Sequence, residues 1–291
     1  MAVWTLFFSS ILLPLITIAL LGRRPRKPRS GWAVTFFMAL GMCGFAFFAA
    51  PWGWFGLATR WLIAVLFVVA TIVSLKRDAV ASSEESPLRM IVKVLIGVLF
   101  GSVALGVLRG HETPSHPADL RFPLQGGRFM VLHGGSTSAS NVHFVDPKQH
   151  FAVDLVKVSP LGFRARGIYP ADLTRYAIYG ATVFSPCSGT VTSVVDGQPD
   201  QPRGLMDTKN PLGNHVVLRC GDLDVTLAQL QPRSIVVGKD APIAAGAPLA
   251  RVGNSGSTTE PHLHLHAERN GAAAPVTFDH QWLVRNTIVT R

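Results

Sequence analysis

Acidic residues are nearly missing from the first 110 positions of this 291-residue chain, which hold 3 Asp and Glu against 11 Lys and Arg. The net charge of +10 therefore divides unevenly: +8 (11 minus 3) falls in that stretch and +2 (16 minus 14) in residues 111–291. A basic surface of the kind that holds nucleic acid is not indicated by this partition, and no nucleic-acid partner is expected. The chain also lacks a basic region ahead of its first apolar run, which argues against a cleaved signal peptide. It has no Gly-rich loop leading into a helix, so nothing points to a phosphate cradle. Beyond residue 110 it shows no convincing amphipathic helix, which leaves β structure as the expectation there.

What the first part has instead is apolar length. Four runs, at residues 3–21, 31–50, 54–75 and 90–108, each have about the 20 residues needed to cross a bilayer. Arg60 and Lys93 lie near the starts of the third and fourth runs, and the centres are almost free of ionisable groups. That argues against an ion or proton path, and so against a transport or sensor module with the rest as receptor. Arg23, Arg24, Arg26, Lys27 and Arg29 follow the first run, and Lys76, Arg77 and Arg89 follow the third. Because basic loops stay in the cytoplasm, this pattern places the N-terminus and everything after residue 108 outside. Trp4, Trp32, Trp52, Trp54 and Trp61 sit near run ends, as interfacial anchors do. The expectation is an integral, multi-pass protein of the cytoplasmic (inner) membrane, with residues 1–110 as membrane region and the C-terminal domain periplasmic or extracellular.

Residues 111–127 read as a linker, with His111, Pro114, His116, Pro117 and Pro123 and little periodicity. A domain at 128–291 follows. Short runs of β character occur at 129–135, 182–185, 189–195, 215–219, 224–228, 234–237 and 249–252, separated by Gly, Pro, Asn and Asp. Residues 186–191 and 240–248 look like related hairpin elements. Residues 136–141 read as an exposed polar loop, and 197–213, with Pro199, Pro202 and Pro211, as a long rim loop. Cys43 lies within the second apolar run and reads as packing. Cys187 and Cys220 both fall in the exported part, where a disulfide between strand-like runs is expected.

The chemistry concentrates in Glu260-Pro261-His262-Leu263-His264-Leu265-His266. On a strand, side chains alternate between faces, so the three histidines share one face and Leu263 and Leu265 the other. Imidazoles held on a rigid element are what a zinc site requires. His150-Phe151-Ala152-Val153-Asp154 supplies a second fragment, H-x-x-x-D, with a nitrogen and a carboxylate ligand. Together with one strand imidazole these make three protein ligands and leave a fourth position for water, the arrangement of a catalytic zinc. His143 is the rival first ligand if the H-x-x-x-D is accidental. His133 and His280 read as surface or core-edge residues.

These pieces resemble the lysostaphin/LytM-type zinc endopeptidases, which cut peptide bonds of peptidoglycan. The resemblance runs over residues 143–278. It rests on the H-x-x-x-D, on S-P-C-x-G-x-V at 185–191, G-N-x-V-x-L at 213–218, the glycines of 237–246, and V-G-N-S-G-S-T-x-x-P-H-L-H at 252–264. It implies a compact antiparallel β fold, so the fold class expected is a four-helix transmembrane region followed by a mainly-β LytM-like peptidase domain. It further implies Zn2+ as cofactor, His150, Asp154 and His264 as its ligands, and His262 as a site histidine facing the water. His266 continues the strand, behind the ligands or at the surface. One departure stands out. Where the family has Y-x-H-L, this chain has Leu227-Ala228-Gln229-Leu230. A glutamine amide can donate a hydrogen bond to an oxyanion, but it cannot carry a proton or a positive charge.

The function implied is a membrane-anchored zinc metalloendopeptidase acting on peptidoglycan peptides, with Gln229 and His262 as catalytic residues and Asn214 and His215 near the substrate. The alternative implied by Gln229 is a weakened domain that binds peptidoglycan or regulates other wall hydrolases.

Overall fold

The computed structural model describes residues 2–23, 26–27, 29–77, 80–81 and 85–291. Two compact units result, Met1–Leu108 and Arg109–Arg291.

Among the described residues, four helical stretches are long and apolar enough to cross a membrane: Trp4–Leu21, Ser30–Ala49, Leu57–Lys76 and Pro87–Arg109. They match the four apolar runs, except that the third starts three residues later and the fourth three residues earlier than the run. Pro51 interrupts the chain, Trp52–Phe55 forms a separate turn, and Gly56 at φ 81° starts the third long helix later than position 54. Many apolar side chains face outward, Leu62 at 57% exposure and Leu95 at 62% among them. Such faces suit hydrocarbon rather than water. Gly41 and Gly97 let two helices approach closely, since a Cβ on Gly41 would collide with the Gly97 backbone. Of the basic loop after the first helix, Arg24 lies outside the described residues.

The second unit is mainly antiparallel β. Its strands are β1 (Ala118–Leu120), β2 (Arg128–His133), β3 (Val153–Val158), β4 (Thr182–Phe184), β5 (Gly189–Val195), β6 (Asn214–Cys220), β7 (Leu223–Leu230), β8 (Pro242–Ile243), β9 (Pro248–Arg251), β10 (Leu263–Arg269), β11 (Ala272–Ala273), β12 (Val276–Phe278) and β13 (Ile288–Thr290). The main sheet runs β8-β5-β6-β7-β10-β3-β2-β13, with β11 beside β10. All of its pairings are antiparallel. One face is the core: Val153, Leu155, Val216, Leu218, Val225, Leu227, Leu263 and Leu265 are all buried there. Period-two alternation then commits the neighbouring residues of each strand to the opposite face.

Four sequence expectations change. Residues 111–127 are not a linker: Ala118–Leu120 pairs in parallel with Val276–Phe278, and Leu120, Phe122 and Leu124 are buried in the core. The alternation of Leu120, Phe122 and Leu124 carried this signal, which the prolines obscured. The stretch 136–141 is not simply an exposed loop, because Ser140 and Asn141 are fully buried. Residues 234–237 form no strand. Nor do 240–248 form a hairpin of their own: Pro242–Ile243 pairs with β5 and Pro248–Arg251 with β4. Cys187 and Cys220, ahead of β5 and at the end of β6, are joined as a disulfide with Cα atoms 6.0 Å apart.

The Phe122 ring packs against Phe129 and Phe278, with centroids 5.5 and 6.2 Å away. Phe122→Ala is therefore expected to destabilise the β unit by about 3–5 kcal/mol. Denaturant midpoints followed by near-ultraviolet circular dichroism would register this, and an unchanged midpoint would return the segment to the status of a linker.

Candidate metal centre

Strand register assembles the site. His264 on β10 pairs with Asp154 on β3, and Asp154 pairs with His133 on β2 after a bulge between Val131 and His133. On the other side His264 pairs with Ala228, and Ala228 with His215 on β6. Directly opposed residues share a face. His133, Asp154, His264 and His215 thus stand in one row across the sheet, on the face away from the core.

His143 reaches the row from outside the sheet. It belongs to a single 3-10 turn, Val142–Val145, capped by the Asn141 side chain, which accepts from the His143 backbone N–H at 3.1 Å. The Asn141 amide donates to the Ala152 carbonyl at 3.0 Å, tying the turn to the entrance of β3. This explains why Asn141 is buried: it fixes His143 relative to Asp154.

The Asp154 carboxylate is the focus. Its Oδ2 lies 2.9 Å from both His133 Nδ1 and His143 Nε2, and its Oδ1 lies 2.9 Å from His264 Nδ1 and 3.6 Å from His262 Nε2. Burial opposes ionisation of this group, but the charges of His143 and His262 and the hydrogen bonds from His133 and His143 outweigh it. Together they hold the carboxyl well below the usual range. Burial likewise opposes charge on His143, yet Asp154 beside it, with Asp146, raises its pKa. Burial is the leading cause of the lowered pKa at both His133 and His264.

His262 has a defined tautomer. Its Nδ1 lies 2.8 Å from the Glu260 carbonyl, which can only accept, so Nδ1 carries the hydrogen. Nε2 is then the basic nitrogen, and it is the one facing Asp154. The turn that sets this ring is itself held below by a buried ion pair, Arg164 to Glu260 at 2.6 Å. Burial lowers the Arg164 pKa to about 10 and raises that of Glu260 to about 7. The two groups stabilise each other as a charged pair against that tendency.

Imidazole nitrogens and a carboxylate oxygen converging on one point are a zinc donor set. Among the described residues, His133, His143 and Asp154 bring ligand atoms within 4.8 Å of one another, a group that could hold a metal ion. His264 Nδ1 adjoins the same carboxylate. Several basic nitrogens crowded around one anion are favourable only with protons or a cation among them, so the residues fit such an ion.

The sequence-predicted residues fare differently. Asp154, His262 and His264 are brought together. His150 is not: its ring packs at a tilt against Phe144, with centroids 4.0 Å apart, and edge-on against Phe151 at 4.6 Å, in the turn before β3. His143, the rival, has its Nε2 2.9 Å from Asp154 Oδ2. His133, expected at the surface or core edge, instead contacts Asp154. No local pattern marks it, because a bulge and a cross-strand pairing deliver it. Gln229 is the extra residue of a bulge where His215 pairs with Ala228 and Asn214 with Leu230. Its φ is 64°, unusual for a residue with a side chain. Such bulges re-aim side chains. Its Nε2 donates a long 3.5 Å hydrogen bond to the Ser257 carbonyl, and among the described residues its buried Oε1 has no hydrogen-bond partner. Asn214, expected at the substrate, is fully buried and occupied: it accepts from Gln198 N–H and donates to the Gln198 and Leu230 carbonyls. It clamps the 197–213 loop to β6. His215 is half-buried, with Nδ1–H donating to the Gly213 carbonyl at 2.8 Å, which leaves its Nε2 as the basic nitrogen.

Residues 173–275 match the model of peptidase family M23, whose members are generally zinc metallopeptidases. The chain carries a domain of peptidase family M23. The matched stretch includes Gln229, His262 and His264 and begins after Asp154. Among solved structures, the chain is similar to a zinc containing peptidase from Vibrio cholerae, at 20% identity over 54% of this chain and 37% of that one, with a TM-score of 0.29. It is similar to a putative peptidase M23 from Pseudomonas aeruginosa, at 17% identity over 68% and 62%, with a TM-score of 0.31. A mutant catalytic domain of the prophage-encoded M23 protein EnpA from Enterococcus faecalis shows 17% identity over 53% and 92%, with a TM-score of 0.33. This chain thus spans about a third of the Vibrio cholerae protein's length and somewhat under two thirds of the Pseudomonas aeruginosa one's. No curated protein sequence matches the chain.

Metal retention separates the two candidate first ligands. His143→Ala and Asp154→Asn are each expected to abolish stoichiometric zinc uptake by the purified chain, and His150→Ala to leave it unchanged. Elemental analysis after dialysis reads this directly; loss of zinc in the His150 variant alone would restore the H-x-x-x-D reading.

Proposed function

We propose that this protein is a membrane-anchored, zinc-dependent endopeptidase that hydrolyses peptide bonds of peptidoglycan on the outer side of the cytoplasmic membrane. The observation that carries the reading is the convergence of His143, Asp154 and His264 beside His262, whose basic Nε2 faces the same carboxylate. His143 Nε2, an Asp154 oxygen and His264 Nδ1 are the ligands proposed, with His133 Nδ1 hydrogen-bonded to Asp154 Oδ2, the oxygen that His143 also faces. Zinc, when bound, supplies Lewis acidity to a peptide carbonyl and makes a water acidic enough to react near neutral pH.

The chain's own groups do the rest. His262 accepts a proton at Nε2, because Nδ1–H is committed to the Glu260 carbonyl. The Arg164–Glu260 pair and Thr258, whose hydroxyl donates to the Glu260 carbonyl at 2.7 Å, keep that ring in place. Gln229 is the residue proposed to hydrogen-bond the developing oxyanion through Nε2, since its present bond to Ser257 is long and easily exchanged. The loops around 160–170 and 197–213 wall the site. Tyr169 reaches the Thr259 carbonyl at 3.3 Å, and the Arg203 guanidinium lies 4.5 Å over the Tyr169 ring.

The four apolar helices support the membrane anchor, and the basic loops support an outward C-terminal unit. The Cys187–Cys220 disulfide accords with an oxidising compartment.

A second reading is favoured by Gln229 itself: a domain that binds peptidoglycan without turning it over. The uncommitted Oε1 and the loss of a titratable group at this position support it. Release of soluble peptides from purified peptidoglycan by the zinc-loaded chain decides between the two. The enzyme reading expects measurable release, raised about a hundredfold in Gln229→His if an ionisable donor restores full oxyanion stabilisation. No release by the parent chain, with activity appearing only in Gln229→His, would establish the binding module.

A further inference from the structure

The third histidine of the 262–266 run has no place in the chemistry above. His266 is 4% exposed, on the same face of β10 as His264 and two residues along. Its Nδ1 lies 3.0 Å from His264 Nε2. On the far side its Nε2 lies 3.7 Å from Glu268 Oε1, and Lys148 Nζ lies 3.5 Å from Glu268 Oε2. A line of groups therefore runs along the strand: Lys148, Glu268, His266, His264, Asp154.

We infer that His266 is a positioning residue for the metal: it accepts the ring hydrogen of His264 at Nε2, and so reserves His264 Nδ1 as the ligand nitrogen. The inference rests on the zinc reading of the site. A neutral imidazole has one N–H and one lone pair, so fixing the hydrogen at Nε2 presents the lone pair at Nδ1. His264 Nδ1 faces Asp154 Oδ1 at 2.9 Å, a contact in which Nδ1–H donates to the carboxylate as long as no cation lies between them. For it to bind a cation, the hydrogen must sit on Nε2, and among the described residues the hydrogen-bond partner recorded for that nitrogen is His266 Nδ1. His266 then carries its own hydrogen on Nε2, turned towards the Glu268 carboxylate.

Partners of this kind fix the tautomer and orientation of a ligand imidazole, and losing one typically weakens metal binding by 10–100-fold. In most sites the partner is a carboxylate, a backbone carbonyl or water; here a buried imidazole stands between the ligand and the carboxylate. The arrangement explains why an apolar-looking strand interior tolerates a histidine at 266. Its second nitrogen and its position on the site face are both used.

The test is a zinc competition titration of the full chain in detergent, against a chromophoric chelator, for wild type, His266→Leu and His266→Asn. Leucine fills the space without an acceptor. Asparagine places Oδ1 where the imidazole has Nδ1, and so keeps one. The expected result is zinc affinity about 10–100-fold weaker in His266→Leu and near wild type in His266→Asn, with both metal-free variants melting together. Equal affinities for wild type and the leucine variant would overturn the inference while leaving the zinc reading intact. So would an asparagine variant as weak as the leucine one, since general packing damage would then be the cause. A wild-type chain that takes up no zinc would overturn both readings.

Discussion

The structure depends on one buried carboxylate. Asp154 is 3% exposed and lies in the second strand from the centre of the site face, where an isolated negative charge would be costly. It is tolerable because imidazoles surround it, each delivered by a different piece of chain: β2, the turn before β3, the loop entering β10, and β10 itself. Antiparallel register makes this possible. A one-residue slip of β10 against β3 would send His264 into the core and bring Leu263 or Leu265 to the site. The burial of Leu263 and Leu265, both fully enclosed, therefore fixes the site as firmly as the histidines do. Fold and chemistry are two faces of the same strands.

The loops add a second layer of constraint. Gly213 at φ 57° and Gly256 at φ 86° lie against each other so closely that a Cβ on either would strike the other's loop backbone. Ser255 bridges them, accepting from Asn214 N–H and donating to the Leu230 carbonyl. The segment leading into His262 is thus fastened to the same bulge that turns Gln229. A substitution at Gln229 reports on a residue held in a strained backbone conformation, next to a loop that sets the orientation of His262.

Much of this was legible in the residues. The alternation from His262 to His266 gave the shared face, and Leu263 and Leu265 gave the core side. The apolar runs gave four helices, the glycine-separated β runs gave a β unit, and the family resemblance implied its antiparallel arrangement. What was not legible came from contacts distant in sequence. His133 enters the site through a bulge and a cross-strand pairing, neither of which leaves a local mark. His143 and His150 offer the same ligand chemistry on the same side of Asp154. Choosing between them needs the Asn141 cap and the packing of the Phe144 and Phe151 rings against His150, which spacing alone does not reveal. The prolines of 111–127 suggested a linker because they interrupt periodicity, yet Leu120, Phe122 and Leu124 reach the core. Asn214 looked like a rim residue, and its burial shows it to be a clamp.

The proposed metal sits where strand register and the Asn141-capped turn converge. The most direct measurement is an anomalous difference map, at the zinc edge, from crystals of the zinc-loaded chain. A single peak bounded by His143 Nε2, Asp154 and His264 Nδ1, at about 2.0–2.2 Å from each, is the predicted result. A peak ligated by His150, or none near Asp154, would contradict it.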